Sequence, residues 1–165
     1  MTMAELSLTT NSEQETQTLG QVLAEVIVPG TVVALNGQLG AGKTNFVRAV
    51  CGGLGIDVSQ VNSPTFVLLQ TYAGGRLTVA HFDTYRLADV DEFLAIGGDE
   101  YLSDAELVCF VEWAERIREI LPGDHLVVEI SHAGEASRHF TFNATGEVSR
   151  NLLTQLRSEV GSLFR

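Results

Sequence analysis

Hydrophobic and polar positions along the chain follow two periods, and together they predict an α/β fold. Apolar residues recur at helical spacing over 19–26, which predicts a helix from about Glu13 to Val26, capped by Asn11 or Ser12. Continuous or alternating apolar runs predict strands in TVVALNG (31–37), VLLQTY (67–72), RLTVAHF (76–82), LVCFVEW (107–113), HLVVEI (125–130) and RHFTF (138–142). Further helices are predicted over 42–52, within 89–102, over 114–121 and over 149–158.

Turn residues separate these elements and indicate how they connect. Gly74 and Gly75 lie between two strand-like runs, which is typical of a hairpin. Elsewhere strands and helices alternate. We therefore expect a single α/β domain over 1–165, with a mixed, mostly parallel central sheet and helices on both faces.

Composition narrows the class of protein. The 165 residues, 45% of them hydrophobic, suffice for one core, and no run of about 18 apolar residues predicts a membrane span. The opening residues lack the basic and apolar regions of a secretory signal. A formal net charge of −11 argues against a chain that grips RNA by itself. Cys51 and Cys109 lie in apolar surroundings without metal-ligand spacing, which indicates reduced core cysteines in a cytoplasmic protein.

One glycine-rich stretch carries specific chemistry. Residues 37–44, GQLGAGKT, fit the phosphate-binding loop pattern G-x-x-x-x-G-K-[ST] between a predicted strand and a predicted helix. Glycines let the main chain approach a ligand closely, and the helix that follows directs its positive end at the same place. Lys43 can then hold the β- and γ-phosphates of a nucleotide, and the Thr44 hydroxyl can bind Mg²⁺.

Two carboxylates follow predicted strands where an α/β sheet collects its ligands. Glu112 ends LVCFVE, and Asp83 ends LTVAHFD. A nucleoside triphosphatase needs acidic groups that hold the metal and orient the attacking water, whereas the alternative for each residue is a solvated strand end. With the loop in the same domain, we expect both carboxylates at the site, and Lys43, Asp83 and Glu112 as the catalytic set.

Three further stretches stand in order after the loop: SPTF (63–66), HFDTYRL (81–87) and VEWAE (111–115). With the loop, they make the chain similar to the TsaE (YjeE) family over nearly its whole length. The resemblance implies a small P-loop ATPase that binds ATP and Mg²⁺ and hydrolyses ATP weakly when alone. It also implies a role in threonylcarbamoyladenosine modification of tRNA through a complex of TsaB and TsaD. The protein would then be cytoplasmic and would meet tRNA only through that complex.

The resemblance also implies roles for individual residues. Thr44 and Glu112 are the implied Mg²⁺ ligands, and Asp83 lies near the γ-phosphate, touching the metal or its water. Asn45 replaces a second threonine that is common in the family, which leaves Thr44 in place. The implied nucleotide contacts are Glu13 near the adenine, Arg138 near the nucleotide, and, as further contacts in and after the loop, Gly37, Leu39, Gly40, Ala41, Gly42, Lys43, Thr44 and Asn45.

Several polar residues near these motifs keep two interpretations. Ser63 and Thr65 either sense the γ-phosphate as a switch or satisfy a turn's own main chain. His81 either supports Asp83 or is a histidine at the edge of the core.

The residues that follow Asp83 and Glu112 also keep more than one interpretation. Tyr85 and Arg86 contact the partner or the nucleotide, or form a surface turn. Trp113 directly follows Glu112, and strand alternation turns it away from the face that Glu112 uses. There it packs as a lid, faces a partner or fills the core.

Three rival functions fit less of the sequence. A small-molecule or nucleotide kinase shares the loop but needs an arginine-bearing lid, and Arg116 and Arg118 fall in an ordinary amphipathic pattern. A guanine-specific switch protein needs N-K-x-D and D-x-x-G motifs, which this sequence does not contain. A nucleotide-dependent binding module with little turnover is close to the main interpretation, and ATP turnover with and without the partner complex separates the two.

Overall fold

The computed structural model describes residues 5–63, 67–161 and 163. Within them the chain forms seven strands, five α-helices and two 3₁₀ segments, at Val58–Gln60 and Ala114–Ile120. The strands are β1 (Glu5–Thr10), β2 (Val32–Asn36), β3 (Leu69–Tyr72), β4 (Thr78–Asp83), β5 (Leu107–Glu112), β6 (Leu126–His132) and β7 (Arg138–Ala144). The helices are α1 (Glu13–Val26), α2 (Lys43–Gly53), α3 (Val90–Ala95), α4 (Gly98–Leu102) and α5 (Glu147–Gly161).

The strands form one sheet in the order β1-β7-β6-β2-β5-β4-β3. β2 lies at its centre and pairs in parallel with β5 and β6, and β4 pairs in parallel with β5. The remaining pairings, β3 with β4, β6 with β7 and β1 with β7, are antiparallel. The predicted mixed sheet with a parallel centre is confirmed, as is the hairpin between β3 and β4.

Helices cover the sheet on both faces, as predicted, and each face has its own core. Val33 and Leu35 of β2 face a core shared with α1, α2 and α5, whereas Val32 and Ala34 face a second core shared with α3 and α4. Alternate side chains of β2 therefore enter opposite cores, which explains the continuous apolar run. Each fully buried aliphatic side chain of this kind stabilises the fold by about 1.5–3 kcal/mol.

The start of α1 is fixed by a reciprocal cap. The Ser12 hydroxyl accepts a hydrogen bond from the Glu15 amide at 3.1 Å, and the Glu15 carboxylate accepts one from the Asn11 amide at 2.9 Å. The first bond satisfies a main-chain donor that a helix leaves unpaired in its first turn, and the second fixes the residue that precedes the cap. Ser12, rather than Asn11, is therefore the capping residue, and Glu13 opens the helix as predicted.

The structure differs from the sequence prediction most clearly at β1 and at the segment after β5; in addition, the 3₁₀ segment Val58–Gln60 was not predicted, and 89–102 forms two short helices rather than one. β1 was absent from the prediction, although ELSLTT alternates polar and apolar residues and places Leu6 and Leu8 against the core. The stretch 114–121 was predicted as an amphipathic helix, but it forms a 3₁₀ segment that Ile117 interrupts with φ −124°. Ala114 and Ile117 are both buried in that segment, and the i, i+3 spacing suits a 3₁₀ helix as well as an α-helix.

No helix among the described residues is long and apolar enough to cross a membrane. Cys51 and Cys109 are buried and unpaired. Burial raises the pKa of each thiol to about 12, so both stay protonated near neutral pH. The two cysteines therefore behave as small apolar core residues, as the sequence indicated.

Asp124 holds the first turn of α5, and we predict a pH-dependent contribution to stability. Its carboxylate accepts hydrogen bonds from the amides of Val148 at 2.8 Å and Ser149 at 3.1 Å. Partial burial opposes ionisation, but the hydrogen bonds from Ser149 and Val148 outweigh it and hold the pKa of Asp124 below its usual value. We expect Asp124→Ala to lower the free energy of unfolding by about 1 kcal/mol near neutral pH.

Because the folded pKa lies below the unfolded value, this contribution is complete above the unfolded pKa and is lost as pH falls through the folded one. Urea unfolding of the wild type and of Asp124→Ala, measured from neutral to acid pH, tests this. The difference in free energy of unfolding between the two proteins should shrink as the pH falls. Near neutral pH, Asp124→Asn, which keeps one acceptor oxygen, should lose less stability than Asp124→Ala. A difference independent of pH would contradict the assignment.

Candidate functional site

The glycine-rich loop 37–42 joins β2 to α2 in a conformation that glycines allow. Gly40 has φ 82° and Gly42 has φ 107°, both in the left-handed region that other residues rarely adopt. Gly37 must also lack a side chain, because a Cβ there would lie 2.5 Å from the carbonyl oxygen of Ile130. Gly42, directly before Lys43, has no side chain that can cap α2. The first amides of the helix are therefore left for an anionic ligand.

Lys43 is the only lysine in the chain, and only 5% of its surface is exposed. Its Nζ donates hydrogen bonds to the carbonyl oxygens of Gly37 at 2.6 Å and Gln38 at 3.1 Å, so the side chain folds back over the loop. Burial lowers the pKa of the ammonium group, and the charges of Glu112 and Asp83 oppose that shift. The loop thus holds a partly desolvated cation that has only main-chain carbonyls as hydrogen-bond acceptors.

Trp113 lies against this cation, contrary to the sequence prediction. Its φ of 59° ends the strand alternation after Glu112, so the indole is not turned to the opposite face. The Lys43 Nζ lies 4.1 Å from the centre of the indole ring, within the range of a cation–π interaction. The Tyr85 ring packs against the same indole at a tilt of 47°, with ring centres 4.8 Å apart, and the Arg116 guanidinium lies 5.6 Å from the centre of the Tyr85 ring.

Glu112 and Asp83 are level in the sheet, because the register of β4 and β5 pairs them directly. Both are almost fully buried. The Thr44 hydroxyl donates to Glu112 Oε2 at 2.8 Å, which connects the end of β5 to the first turn of α2. Asp83 Oδ1 accepts a hydrogen bond from the Tyr85 amide at 2.9 Å. The two strand-end carboxylates and the Thr44 hydroxyl are thus brought together beside the loop.

This donor set suits Mg²⁺ held together with a phosphate ligand. Among the described residues, no three His, Cys, Asp or Glu side chains converge as a complete protein cage for a metal. Mg²⁺ does not require one, since it keeps several waters and is usually held by one or two carboxylates and substrate phosphates. The oxygen atoms of Thr44, Glu112 and Asp83 fit that pattern.

A cleft of about 370 Å³ opens beside the loop. Glu13 from α1 and Arg138 from β7 line it together with Ala41, Gly42 and Asn45, although 124 residues lie between the first two in the sequence. The Arg138 Nε donates to the carbonyl oxygen of Ala41 at 3.0 Å, which ties β7 to the loop. The fold therefore gathers the residues expected beside the nucleotide around one opening.

Other predicted residues are placed differently. The side chain of Leu39 is 81% exposed at the tip of the loop, so only its main chain can face a ligand held there. Asn45 accepts a hydrogen bond from Arg48, which also lines the cleft and was not predicted. The two interpretations of Ser63 and Arg86 stay predictions, and Thr65 lies outside the described residues.

His81 contacts Glu112 rather than supporting Asp83. Its Nε2 lies 2.6 Å from Glu112 Oε2, and its Nδ1 lies 3.0 Å from the hydroxyl of Tyr72. Tyr72 was not predicted for the site. The sequence offered one indication of this contact: Tyr72 lies on the strand that pairs, in the predicted hairpin, with the strand that carries His81.

Comparison with known proteins identifies the family of this chain. The family model described as "Threonylcarbamoyl adenosine biosynthesis protein TsaE" matches residues 10–140, which span the loop, both acidic strands and Arg138. The chain is similar to a protein of Bacillus subtilis described as "tRNA threonylcarbamoyladenosine biosynthesis protein TsaE". The two are 40% identical over 154 residues, covering 93% of this chain and 95% of that protein. A protein of Treponema pallidum with the same description is 40% identical, covering 79% of this chain and 94% of its own length.

A solved structure supports the same relationship. The crystal structure of YdiB from Bacillus subtilis superposes with a TM-score of 0.76 and 32% sequence identity, covering 97% of this chain and 99% of that one. Sequence and fold therefore agree over nearly the whole chain. The chain belongs to the TsaE family, a family of tRNA threonylcarbamoyladenosine biosynthesis.

Proposed function

We propose that this protein is an ATPase that binds Mg–ATP and supports threonylcarbamoyladenosine modification of tRNA by acting on a TsaB–TsaD complex. One observation supports the proposed binding of Mg–ATP. The glycine-rich loop, the buried Lys43 and the hydrogen-bonded pair of Thr44 and Glu112 meet at the ends of β2 and β5. The family relationship carries the part that concerns tRNA modification.

In this proposal the triphosphate replaces the main-chain acceptors of Lys43. The ammonium donates to the carbonyl oxygens of Gly37 and Gln38 in the free protein. Phosphate oxygens are charged acceptors and form shorter, stronger bonds with an ammonium group than neutral carbonyls do. The first amides of α2 add main-chain donors to the same anion.

The adenosine part occupies the cleft between α1 and β7. Its volume of about 370 Å³ is within the usual range for small-molecule sites. Glu13 and Arg138 line it and offer an acceptor and a donor to the base and ribose. The hydrogen bond from Arg138 to Ala41 keeps this wall of the cleft attached to the loop.

Thr44 and Glu112 hold Mg²⁺ in this proposal, with Asp83 nearby. When bound, the ion neutralises charge on the β- and γ-phosphate oxygens, which is its usual contribution to phosphoryl transfer. Asp83 is the acceptor for a hydrogen of the attacking water. The bond from the Tyr85 amide fixes one oxygen of that carboxylate, so its orientation is set before the substrate arrives.

The transfer of the threonylcarbamoyl group belongs to TsaD in this scheme, and ATP hydrolysis by the present chain resets the TsaB–TsaD assembly between cycles. A formal net charge of −11 complements a basic partner surface and repels the phosphates of tRNA, which is why we assign tRNA contact to the complex. Two buried, unpaired thiols fit a cytoplasmic location.

The first prediction concerns Lys43. We expect Lys43→Ala to weaken ATP binding by at least about tenfold, because a charge-assisted hydrogen bond to phosphate is lost. Equilibrium titration with a fluorescent ATP analogue measures the effect, and Arg150→Ala, which removes a positive charge from α5, is the matched control. Since Lys43 is the only lysine, ATP should also protect it from an amine-specific acylating reagent. Undiminished affinity in Lys43→Ala would contradict the proposal.

The second prediction separates the roles of binding and hydrolysis. We expect Glu112→Ala to reduce Mg²⁺-dependent ATP hydrolysis, in the presence of the TsaB–TsaD complex, far more than it reduces ATP binding. The reason is that Glu112 is proposed to bind the metal ion, whereas the loop amides and Lys43 bind the phosphates. The control is Glu106→Ala, which removes an exposed carboxylate just before the opposite end of the same strand. If hydrolysis and binding fell equally, Glu112 would have a structural role instead.

A further inference from the structure

A chain of hydrogen bonds runs behind the predicted metal ligands. Glu112 Oε2 lies 2.8 Å from Thr44 Oγ1 and 2.6 Å from His81 Nε2. On the other side of the imidazole, His81 Nδ1 lies 3.0 Å from the Tyr72 hydroxyl. That hydroxyl is in turn 3.0 Å from Gln70 Oε1 and 3.2 Å from the carbonyl oxygen of Asn62.

Every side chain in the middle of this chain is withdrawn from solvent. His81 is fully buried, Tyr72 is 2% exposed and Glu112 is 3% exposed. Water cannot replace any of these partners without opening the core. Burial raises the pKa of Tyr72 to about 12, so the phenol keeps its hydrogen near neutral pH. Both nitrogen atoms of the imidazole therefore have a fixed protein partner.

The chemistry of the contact sets its direction. An ionised carboxylate only accepts hydrogen bonds, so the His81 Nε2 carries the hydrogen and donates to Glu112. Tyr72 holds the ring at Nδ1, whether its hydroxyl donates or accepts there. The ring cannot turn without breaking a bond at one nitrogen or the other. The orientation of the Glu112 carboxylate is consequently determined from strands β3 and β4, and not from its own strand alone.

We propose that His81, held by Tyr72, is the positioning residue that fixes the Glu112 carboxylate for its role as a metal ligand. This inference rests on the proposed Mg–ATP function and adds to it two residues outside the loop and its metal ligands. Partners that orient a metal ligand in this way typically change metal affinity by about 10- to 100-fold when they are removed. A histidine that only fills the core would leave metal affinity unchanged once the protein folds.

The test compares variants that remove and restore the donor. His81→Leu keeps much of the volume but has no hydrogen bond, whereas the side-chain nitrogen of His81→Gln can replace Nε2 as the donor to Glu112. Tyr72→Phe removes only the hydroxyl. His132→Leu is the control at an exposed histidine. For each, affinity for a fluorescent ATP analogue is measured first in excess chelator and then along a Mg²⁺ titration.

We expect His81→Leu to raise the Mg²⁺ concentration for half-maximal effect by about 10- to 100-fold, with metal-free nucleotide affinity unchanged. His81→Gln should recover most of the loss, and Tyr72→Phe should show a smaller shift in the same direction. His132→Leu should match the wild type.

Two results would overturn the positioning role: an unchanged Mg²⁺ requirement in His81→Leu, or an equal loss of metal-free and metal-dependent affinity. If thermal unfolding shows that His81→Leu does not fold, Tyr72→Phe decides, and an unchanged Mg²⁺ requirement in that variant rejects the proposal. A wild type that binds no nucleotide overturns the proposed function and this inference together. A wild type that binds Mg–ATP, with all variants unchanged, overturns the inference alone.

Discussion

The register of three parallel strands is the constraint on which the rest of the site depends. β5 pairs Glu112 with Leu35 of β2 on one side and with Asp83 of β4 on the other, so three strand ends lie level. The glycine-rich loop leaves β2 at that level, and α2 brings Thr44 back to within 2.8 Å of Glu112. A slip of one residue would turn both carboxylates to the opposite face of the sheet. Two hydrophobic cores, one on each face, hold the register in place.

The same arrangement concentrates buried charge. Lys43, Asp83 and Glu112 are all nearly inaccessible to water, and a buried charge is tolerated only when it is paired and hydrogen-bonded. The free protein satisfies Lys43 with two carbonyl oxygens and the Trp113 ring, and it satisfies Glu112 with Thr44 and His81. In the proposed complex a phosphate group replaces the two carbonyl oxygens at Lys43, and a divalent cation replaces the hydrogen bond from Thr44 to Glu112, while His81 keeps its contact with Glu112. The buried charges of the site therefore have partners when no ligand is bound, and they already lie where the phosphates and the metal ion are proposed to bind.

Much of the fold follows from local pattern, whereas several contacts depend on pairings that no local pattern reveals. The loop glycines and the strand-end carboxylates were predictable because their spacing is local. β1 was missed because its half-buried alternation becomes a strand only beside β7. The place of Trp113 depends on a left-handed φ that a tryptophan rarely adopts. The contact of His81 with Glu112 depends on how β4 and β5 pair, and the β4 sequence alone makes Asp83 the nearer partner.

A crystal structure of the protein with Mg²⁺ and a non-hydrolysable ATP analogue tests the proposed nucleotide site most directly. We expect phosphate oxygens on the main-chain amides of the loop, with Lys43 Nζ moved from the carbonyl oxygens of Gly37 and Gln38 to the phosphates. We also expect the metal ion within bonding distance of Thr44 and Glu112. A nucleotide bound elsewhere, or a loop that stays empty at saturating concentration, would show that the glycine-rich loop is not a phosphate site.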